Sequence, residues 1–342
     1  MLLYVHIPFC DSKCHYCSFN SFTHHHDLKR RYMAALIEQL RYELERFAVQ
    51  KQQIETLFVG GGTPSTVKAQ LFEPMFALLE PYLAKDCEIT FEANPNSATP
   101  SWLHGIKTLG ATRISFGVQS FDAEKLRFLG RAHSPDQAIA AIQYAAEAGI
   151  EHINCDIIYN VRGDSEKLLA NDLAIAQSLP IDHISAYALT IEERTPFARG
   201  QVTSHKEFGP FVAEHIHMPW YEVSNFGHYR SRHNMGYWQL KDYIGIGAGA
   251  VGFMHNRRFY PSRDLHRYIA DPLACDIEEL AHQDLRTEKI FLGLRSVVGV
   301  DAKLVDSQKA ALLCDEGKLL YRDGRYYNLD FFLADEIALY LL

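Results

Sequence analysis

The sequence predicts an α/β chain in which six β/α units build a partial, TIM-like (β/α)6 barrel, followed by a small C-terminal α+β domain of winged-helix-like character. Three observations predict it. Short β-rich runs alternate with helical patterns from Leu2 to about Leu189, six such units are present where a complete barrel has eight, and a hairpin framed by helical patterns lies near the end of the chain.

The strand candidates are Leu3–Pro8, Glu55–Val59, Glu88–Glu92, Arg113–Val118, His152–Ile158 and His183–Leu189. Between them, apolar residues recur at three- and four-residue spacing, most clearly at Tyr32, Met33, Leu36, Ile37, Leu40, Leu44 and Phe47. Such alternation gives parallel strands joined by right-handed crossovers, with the working face at the C-terminal ends of the strands. After Thr190 the rhythm gives way to loops and short aromatic-rich pieces, reaching a glycine-rich stretch at Gly245–Gly252. From about Asp276, helical patterns at Glu278–Leu294, Asp301–Glu316 and Phe332–Leu341 surround a predicted hairpin, Lys318–Tyr321 and Arg325–Leu329, with Asp323-Gly324 at its turn. The expected division is residues 1–230 for the barrel and 231–342 for the C-terminal region, whose winged-helix-like end starts near 276.

With 342 residues, 47% hydrophobic and 22% charged, the chain has globular composition and can bury a core without disulfide staples. A net charge of -8 gives no broad cationic field, so nucleic acid is not an expected partner. Lys29-Arg30-Arg31 reads as a solvated helix face, and His24-His25-His26 as a solvated loop. Met1-Leu2-Leu3-Tyr4-Val5-His6 has no basic n-region or cleavage site, and no apolar run reaches the roughly 18 residues of a membrane span. Seven cysteines, three of them crowded between positions 10 and 17, do not form a disulfide framework; the expected compartment is a reducing cytoplasm.

Cys10-Asp-Ser-Lys-Cys14-His-Tyr-Cys17 is the most informative string. Thiolates at these spacings let one irregular loop after the first strand wrap three corners of a [4Fe–4S] cube, leaving the fourth iron open. The alternative is zinc, which would need a fourth ligand from His15 or a remote histidine. Gly60-Gly61-Gly62-Thr63-Pro64 follows the second strand in the same way, where glycines let backbone polar groups approach a ligand closely.

Together, the cysteine loop after strand one and Gly-Gly-Gly-Thr-Pro after strand two resemble the radical S-adenosylmethionine (SAM) superfamily. The resemblance implies that the amino and carboxylate groups of SAM chelate the open iron and that an electron from the cluster cleaves the sulfonium. Tyr4-Val-His6-Ile-Pro8-Phe9-Cys10, Ser115-Phe-Gly117-Val-Gln119-Ser-Phe121, Leu129-Gly-Arg131-x-His133 and Asp156-Ile-Ile158 further resemble the anaerobic coproporphyrinogen III oxidase-like family over nearly the whole chain. Carried over by position, Tyr4, Gly61, Gly62, Thr63, Glu92, Gln119, Arg131 and Asp156 would line the SAM site. Glu92 and Asp156 would accept from ribose hydroxyls or the amino group, and Arg131 would pair with the methionine carboxylate.

Within that family, the dehydrogenases carry a further cysteine two residues past the motif and an N-terminal extension. Here Phe19 stands at that place and nine residues precede Cys10, which resembles the HemW branch of haem chaperones. That branch carries a His-Asn-x-x-Tyr-Trp word, matched by His233-Asn234-Met-Gly-Tyr237-Trp238, and the resemblance implies haem binding there. Imidazole is a common axial ligand of haem iron, and Tyr237 and Trp238 offer flat apolar surfaces; the plain alternative is a packed, hydrogen-bonded His233. The partners the resemblance implies are haem, a haem-acceptor protein at or near a membrane, an electron donor and a second copy of the chain. The alternative activity is oxygen-independent decarboxylation of coproporphyrinogen III. Departures from the branch fall at Asn160-Val-Arg162-Gly163-Asp164, where Gly-Leu-Pro-Gly-Gln is usual, at Val251, where histidine is usual, and between Thr195 and Trp220, where the segment is shortened.

Overall fold

A computed structural model describes all residues, 1–342. The strands β1 (Leu2–Ile7), β2 (Ile54–Gly61), β3 (Leu83–Ala93), β4 (Arg113–Gln119), β5 (His152–Tyr159) and β6 (His183–Ala188) overlap the six predicted runs. Strand β3 starts earlier than expected because Leu83 already pairs with Ile54, ahead of an irregularity in the register. Helix α1 (Lys29–Arg46) joins the first two strands and buries Tyr32, Met33, Leu36, Leu40 and Leu44, the face that the apolar spacing marks. The later crossovers use α2 (Glu73–Leu79), α3 (Pro100–Thr108), α4 (Ala123–Leu129), α5 (Pro135–Glu147) and α6 (Glu166–Ser178). Helices α3 to α6 each begin on a side chain that accepts from the first turn, Thr99, Asp122, Ser134 and Ser165, which satisfies donors the helix leaves open.

Beyond residue 190 lie α7 (Gly209–His215), β7 (Trp220–Glu222), β8 (Asn225–Gly227), α8 (Arg232–Trp238), β9 (Tyr243–Ile246), β10 (Gly252–Met254), β11 (Arg257–Pro261), α9 (Leu265–Ala270) and β12 (Cys275–Glu279). The region read as loops therefore supplies six strands to the main sheet, whose order is β12-β11-β10-β9-β1-β2-β3-β4-β5-β6-β8-β7. Strand β9 runs parallel to β1, so the parallel run continues past the N-terminal strand, and the outer strands are antiparallel. These strands are three to five residues long, too short for periodicity to register. The expected dividing line at 230 falls inside this sheet.

The remainder is α10 (His282–Leu294), β13 (Val300–Asp301), α11 (Ser307–Asp315), β14 (Leu319–Arg322), β15 (Arg325–Asn328) and α12 (Ala334–Leu341). Here β14 and β15 form the predicted hairpin and β13 adds to it, giving a three-stranded sheet among helices with its own buried core from Ile290 to Leu341. All three helices are shorter than expected, and two of them start several residues late. Residues 275–279 are an edge strand, in which Glu279 pairs with Arg257 at 2.8 Å and Glu278 accepts from Tyr260 Oη across β11. Asp306 caps α11 through the N–H groups of Gln308 and Lys309, so the helix starts there and not at Asp301.

One cavity is lined by Tyr4, Phe58, Glu92, Arg113, Asp156 and Ser185, one residue from each of β1 to β6, so the sheet curls around an interior as a partial barrel does. Outside the curl, a single large core runs from Leu3 to Tyr268. No helix is long and apolar enough to cross a membrane.

Candidate functional site

The cysteine loop leaves β1 at its C-terminal end and is pinned from two sides. Cys10 N–H donates to Phe22 O at 3.1 Å, and the glycine loop after β2 donates Gly62 N–H to Ile7 O and Thr63 N–H to Phe9 O, both at 2.8 Å. A Cβ at Gly62 would lie 2.8 Å from Ile7 O and 2.9 Å from Phe9 O, so only glycine lets the two loops meet this closely. Thr63 Oγ1 donates to Cys10 Sγ at 3.3 Å, and Asn94 Nδ2 to Thr63 Oγ1 at 3.1 Å. From below, His15 N–H donates to Leu129 O, and a Cβ on Gly130, at φ +73°, would meet the His15 ring at 2.9 Å.

Cys10, Cys14 and Cys17 border one cavity of about 370 Å³ together with Gly61, Gly62, Thr63, Glu92, Gln119, Arg131 and Asp156. Every residue predicted for the SAM site except Tyr4 lies there. Tyr4 faces a second, deeper chamber of about 250 Å³ that shares Glu92, Ser115, Asp156 and Tyr187 with the first, and its Oη sits 2.9 Å from His6 Nδ1. His15 turns away from the thiols, with Nδ1 2.9 Å from Phe128 O. No group of three or more His, Cys, Asp or Glu side chains is drawn together around a single ion position.

Polar atoms in the upper cavity are only partly satisfied. Gln119 has φ +73°, strained for a side-chain-bearing residue, and its Oε1 is buried without a partner. Arg131 is tied to Cys14 Sγ at 3.2 Å, to Asn94 Oδ1 at 2.6 Å and to Gly117 O, which leaves only its buried Nε without a partner. Glu92 Oε2 accepts from Gly61 N–H at 2.8 Å. Burial pushes the Glu92 carboxyl up to about 7, against the Gly61 hydrogen bond, with the Asp156 charge adding to the rise and Arg113 opposing it. Burial also raises Asp156, while hydrogen bonds from Asn154 and Ser185 pull it down.

A family model described as "Radical SAM superfamily" matches residues 4–174. A Mycobacterium tuberculosis protein named "Heme chaperone HemW" is 32% identical over 351 residues, covering 94% of this chain and 89% of the relative. The protein of the same name from Bacillus subtilis is 30% identical and covers 88% of this chain and 84% of the relative; that from Escherichia coli is 36% identical over 73% and 69%. The chain belongs to the radical SAM superfamily and to its HemW family. Among solved structures, the coproporphyrinogen III oxidase HemN from Escherichia coli superposes with a TM-score of 0.82 at 19% identity, covering 99% of this chain and 89% of that one, which extends the likeness in fold to the C-terminal domain.

Radical SAM membership implies a [4Fe–4S] cluster and SAM, and the donor set of this HemW-family chain fits both. Three thiols on one loop suit three irons of a cube, and Gln119 and Arg131, each with a buried polar atom left unpartnered, line the same cavity, where a zwitterionic nucleoside would supply partners. Asn94 belongs with these residues although sequence reading missed it: it lies two positions past Glu92, and strand alternation puts both on the inner face. The same alternation carries Arg113 and Ser115 inward with Gln119 along β4.

The His233–Trp238 word forms most of α8, which closes the floor of the barrel. His233 is 1% exposed, with Nδ1 2.7 Å from Thr56 Oγ1 and Nε2 2.8 Å from Tyr237 Oη, while its ring packs on Phe58 at 5.0 Å. Burial, reinforced by the Arg113 charge, lowers the imidazole to about 3, so it stays neutral. Both ring nitrogens are engaged; for His233 to take haem iron, one of these bonds must open. His233, Asn234 and Tyr237 line the deeper chamber, whereas Trp238 does not, and its Nε1 is buried without a partner.

The departures at 160–164 also find a physical reason. Asp164 Oδ1 lies 2.7 Å from Lys125 Nζ, and Asn160 Nδ2 donates to both Glu207 oxygens while its Oδ1 accepts from Phe208 N–H. These side chains anchor the loop after β5 to α4 and to the residues just before α7.

Proposed function

We propose that this protein binds haem and transfers it to an acceptor protein, with a [4Fe–4S] cluster held by Cys10, Cys14 and Cys17 and SAM at its open iron. The observation that carries the reading is 32% and 30% identity, over 94% and 88% of this chain, to proteins named "Heme chaperone HemW". The bound cluster and SAM supply one-electron chemistry at the mouth of the barrel. Around it, Arg131 holds Cys14 of the cysteine loop and Asn94 holds Thr63 of the glycine loop, and Glu92, Gln119 and Asp156 offer acceptors to ribose hydroxyls or the amino group. Phe19, 65% exposed beside the cysteine loop, stands where a further cysteine would mark the coproporphyrinogen dehydrogenases. Haem contact is assigned to the word His233, Asn234, Tyr237 and Trp238, and a haem acceptor, an electron donor and a second copy of the chain are partners of the same reading.

The test is a paired assay on one anaerobically reconstituted sample. Titration with haem should give a saturable Soret shift that His233→Ala with Tyr237→Ala reduces, and coproporphyrinogen III should remain unconverted in the presence of SAM and a reductant. Conversion to protoporphyrinogen IX with SAM turnover would replace the chaperone by the enzyme. A colourless sample with one zinc per chain would remove the cluster.

A further inference from the structure

Arg113 is the largest fully buried side chain of the protein, 2% exposed, and it points into the deeper chamber with its Nε unpartnered. It takes part in none of the ion pairs of the chain, whose buried example is Lys125 with Asp164 and Asp172. The Glu92 and Asp156 carboxyls feel its charge, which lowers both, but neither pairs with it, and a guanidinium withdrawn from water in this way is disfavoured unless something else meets its fork of donors. The neighbouring polar groups do not. His183 is taken by Asn154 Oδ1 and Tyr221 Oη, His233 by Thr56 and Tyr237, and Glu88 by Tyr229 Oη and the N–H groups of Arg232 and His233.

The chamber has about 250 Å³ of space in front of this side chain, with the Ser115, Ser185 and Asn234 side chains also on its wall. Glu92 and Asp156 border both this chamber and the cavity above, so the two carboxyls stand between the upper cavity and the guanidinium.

We propose that the chamber beneath the SAM cavity is a carboxylate-binding site anchored by Arg113. This rests on the haem reading only for one of its two sources, a propionate side chain of the tetrapyrrole; the other is a free small carboxylate. In either case one carboxylate oxygen pair meets the guanidinium fork and Asn234 supplies a further donor, while Ser115 and Ser185 reach the ligand only by turning their hydroxyls from Asp156 Oδ1 and Asn154 Oδ1.

The test uses the full chain, anaerobically reconstituted, as wild type and as Arg113→Gln. Sodium propionate, against sodium chloride at equal ionic strength, should raise the wild-type melting midpoint saturably and leave that of Arg113→Gln unmoved; this outcome supports the free-carboxylate source. Haem binding at least tenfold tighter than haem dimethyl ester to wild type, with the two equal in Arg113→Gln, supports the propionate source. A wild type that shows neither effect, or effects that persist in Arg113→Gln, overturns the site. If Arg113→Gln does not fold, the two wild-type comparisons decide alone. Loss of all haem binding with a surviving propionate shift would remove the haem reading and keep the chamber.

Discussion

Arg131 Nη1 lies 3.2 Å from Cys14 Sγ, so the guanidinium expected to serve SAM is bound first to the cysteine loop. Its other donors meet Asn94 Oδ1 and Gly117 O, which makes Arg131 a brace between the loop and strands β3 and β4. Removing it should leave the three thiols able to assemble a cluster, because none of them is lost. SAM affinity should fall about 10- to 100-fold in Arg131→Ala, the range of one or two charge-assisted hydrogen bonds. Iron content and SAM titration followed by electron paramagnetic resonance of the reduced cluster check both parts; full affinity in a folded variant would remove Arg131 from the site.

Glu92 carries a pH dependence of known sign. Its folded carboxyl titrates near 7, above the ordinary value of 4.5, chiefly through burial, so the ligand-free fold loses stability as pH rises from about 4.5 through 7 and the buried group ionises. A ligand that hydrogen-bonds to the carboxylate form should instead bind more tightly as pH rises through 7. SAM affinity is expected to increase several-fold between pH 6 and pH 8 in the wild type and to be flat in Glu92→Gln, which should also be the more stable ligand-free protein at pH 8. Calorimetric titrations at three pH values and thermal melts test this.

Lys125 and Asp164 form a buried ion pair at 2.7 Å, with Asp172 3.9 Å from the same ammonium. Breaking such a pair strands a charge, so Lys125→Ala should cost about 3–5 kcal/mol, while Lys125→Met combined with Asp164→Leu should cost less than the sum of the single changes. Urea denaturation of the cluster-free chain measures the cycle, and strict additivity would show that the pair is not coupled.

The His233 ring stands between Thr56 Oγ1 and Tyr237 Oη. His233→Ala leaves both hydroxyls buried beside a void and should destabilise the fold by about 2–3 kcal/mol even without haem. A melt of the haem-free variant therefore has to accompany any loss of haem binding; an unchanged midpoint would mean that the floor rearranges freely around this position.

The six barrel strands were legible in the sequence because each is long enough to show its β-rich character, and helix α1 because its apolar stripe runs unbroken from Tyr32 to Leu44. The cysteine loop and the glycine loop were legible because their chemistry lies in consecutive residues. Strands β7 to β12 were not, because three to five residues carry no period and only their partners hold them extended; Cys275–Glu279 is a strand because Arg257 and Arg258 lie opposite its carboxylates.

By itself, the sequence determined the residue types of the site and their order along the chain: three thiols after the first strand, glycines after the second, and inward carboxyls and amides on the third to fifth. Tertiary structure alone decided which of them share a space. It put Arg131 on Cys14, set Tyr4 on the wall of the lower chamber, engaged both nitrogens of His233, and left Arg113 outside any ion pair beside that chamber. Apart from the local His233–Tyr237 contact, these outcomes depend on side chains far apart in the chain, brought together by the curl of the sheet and by which hydrogen-bonding groups reach one another first.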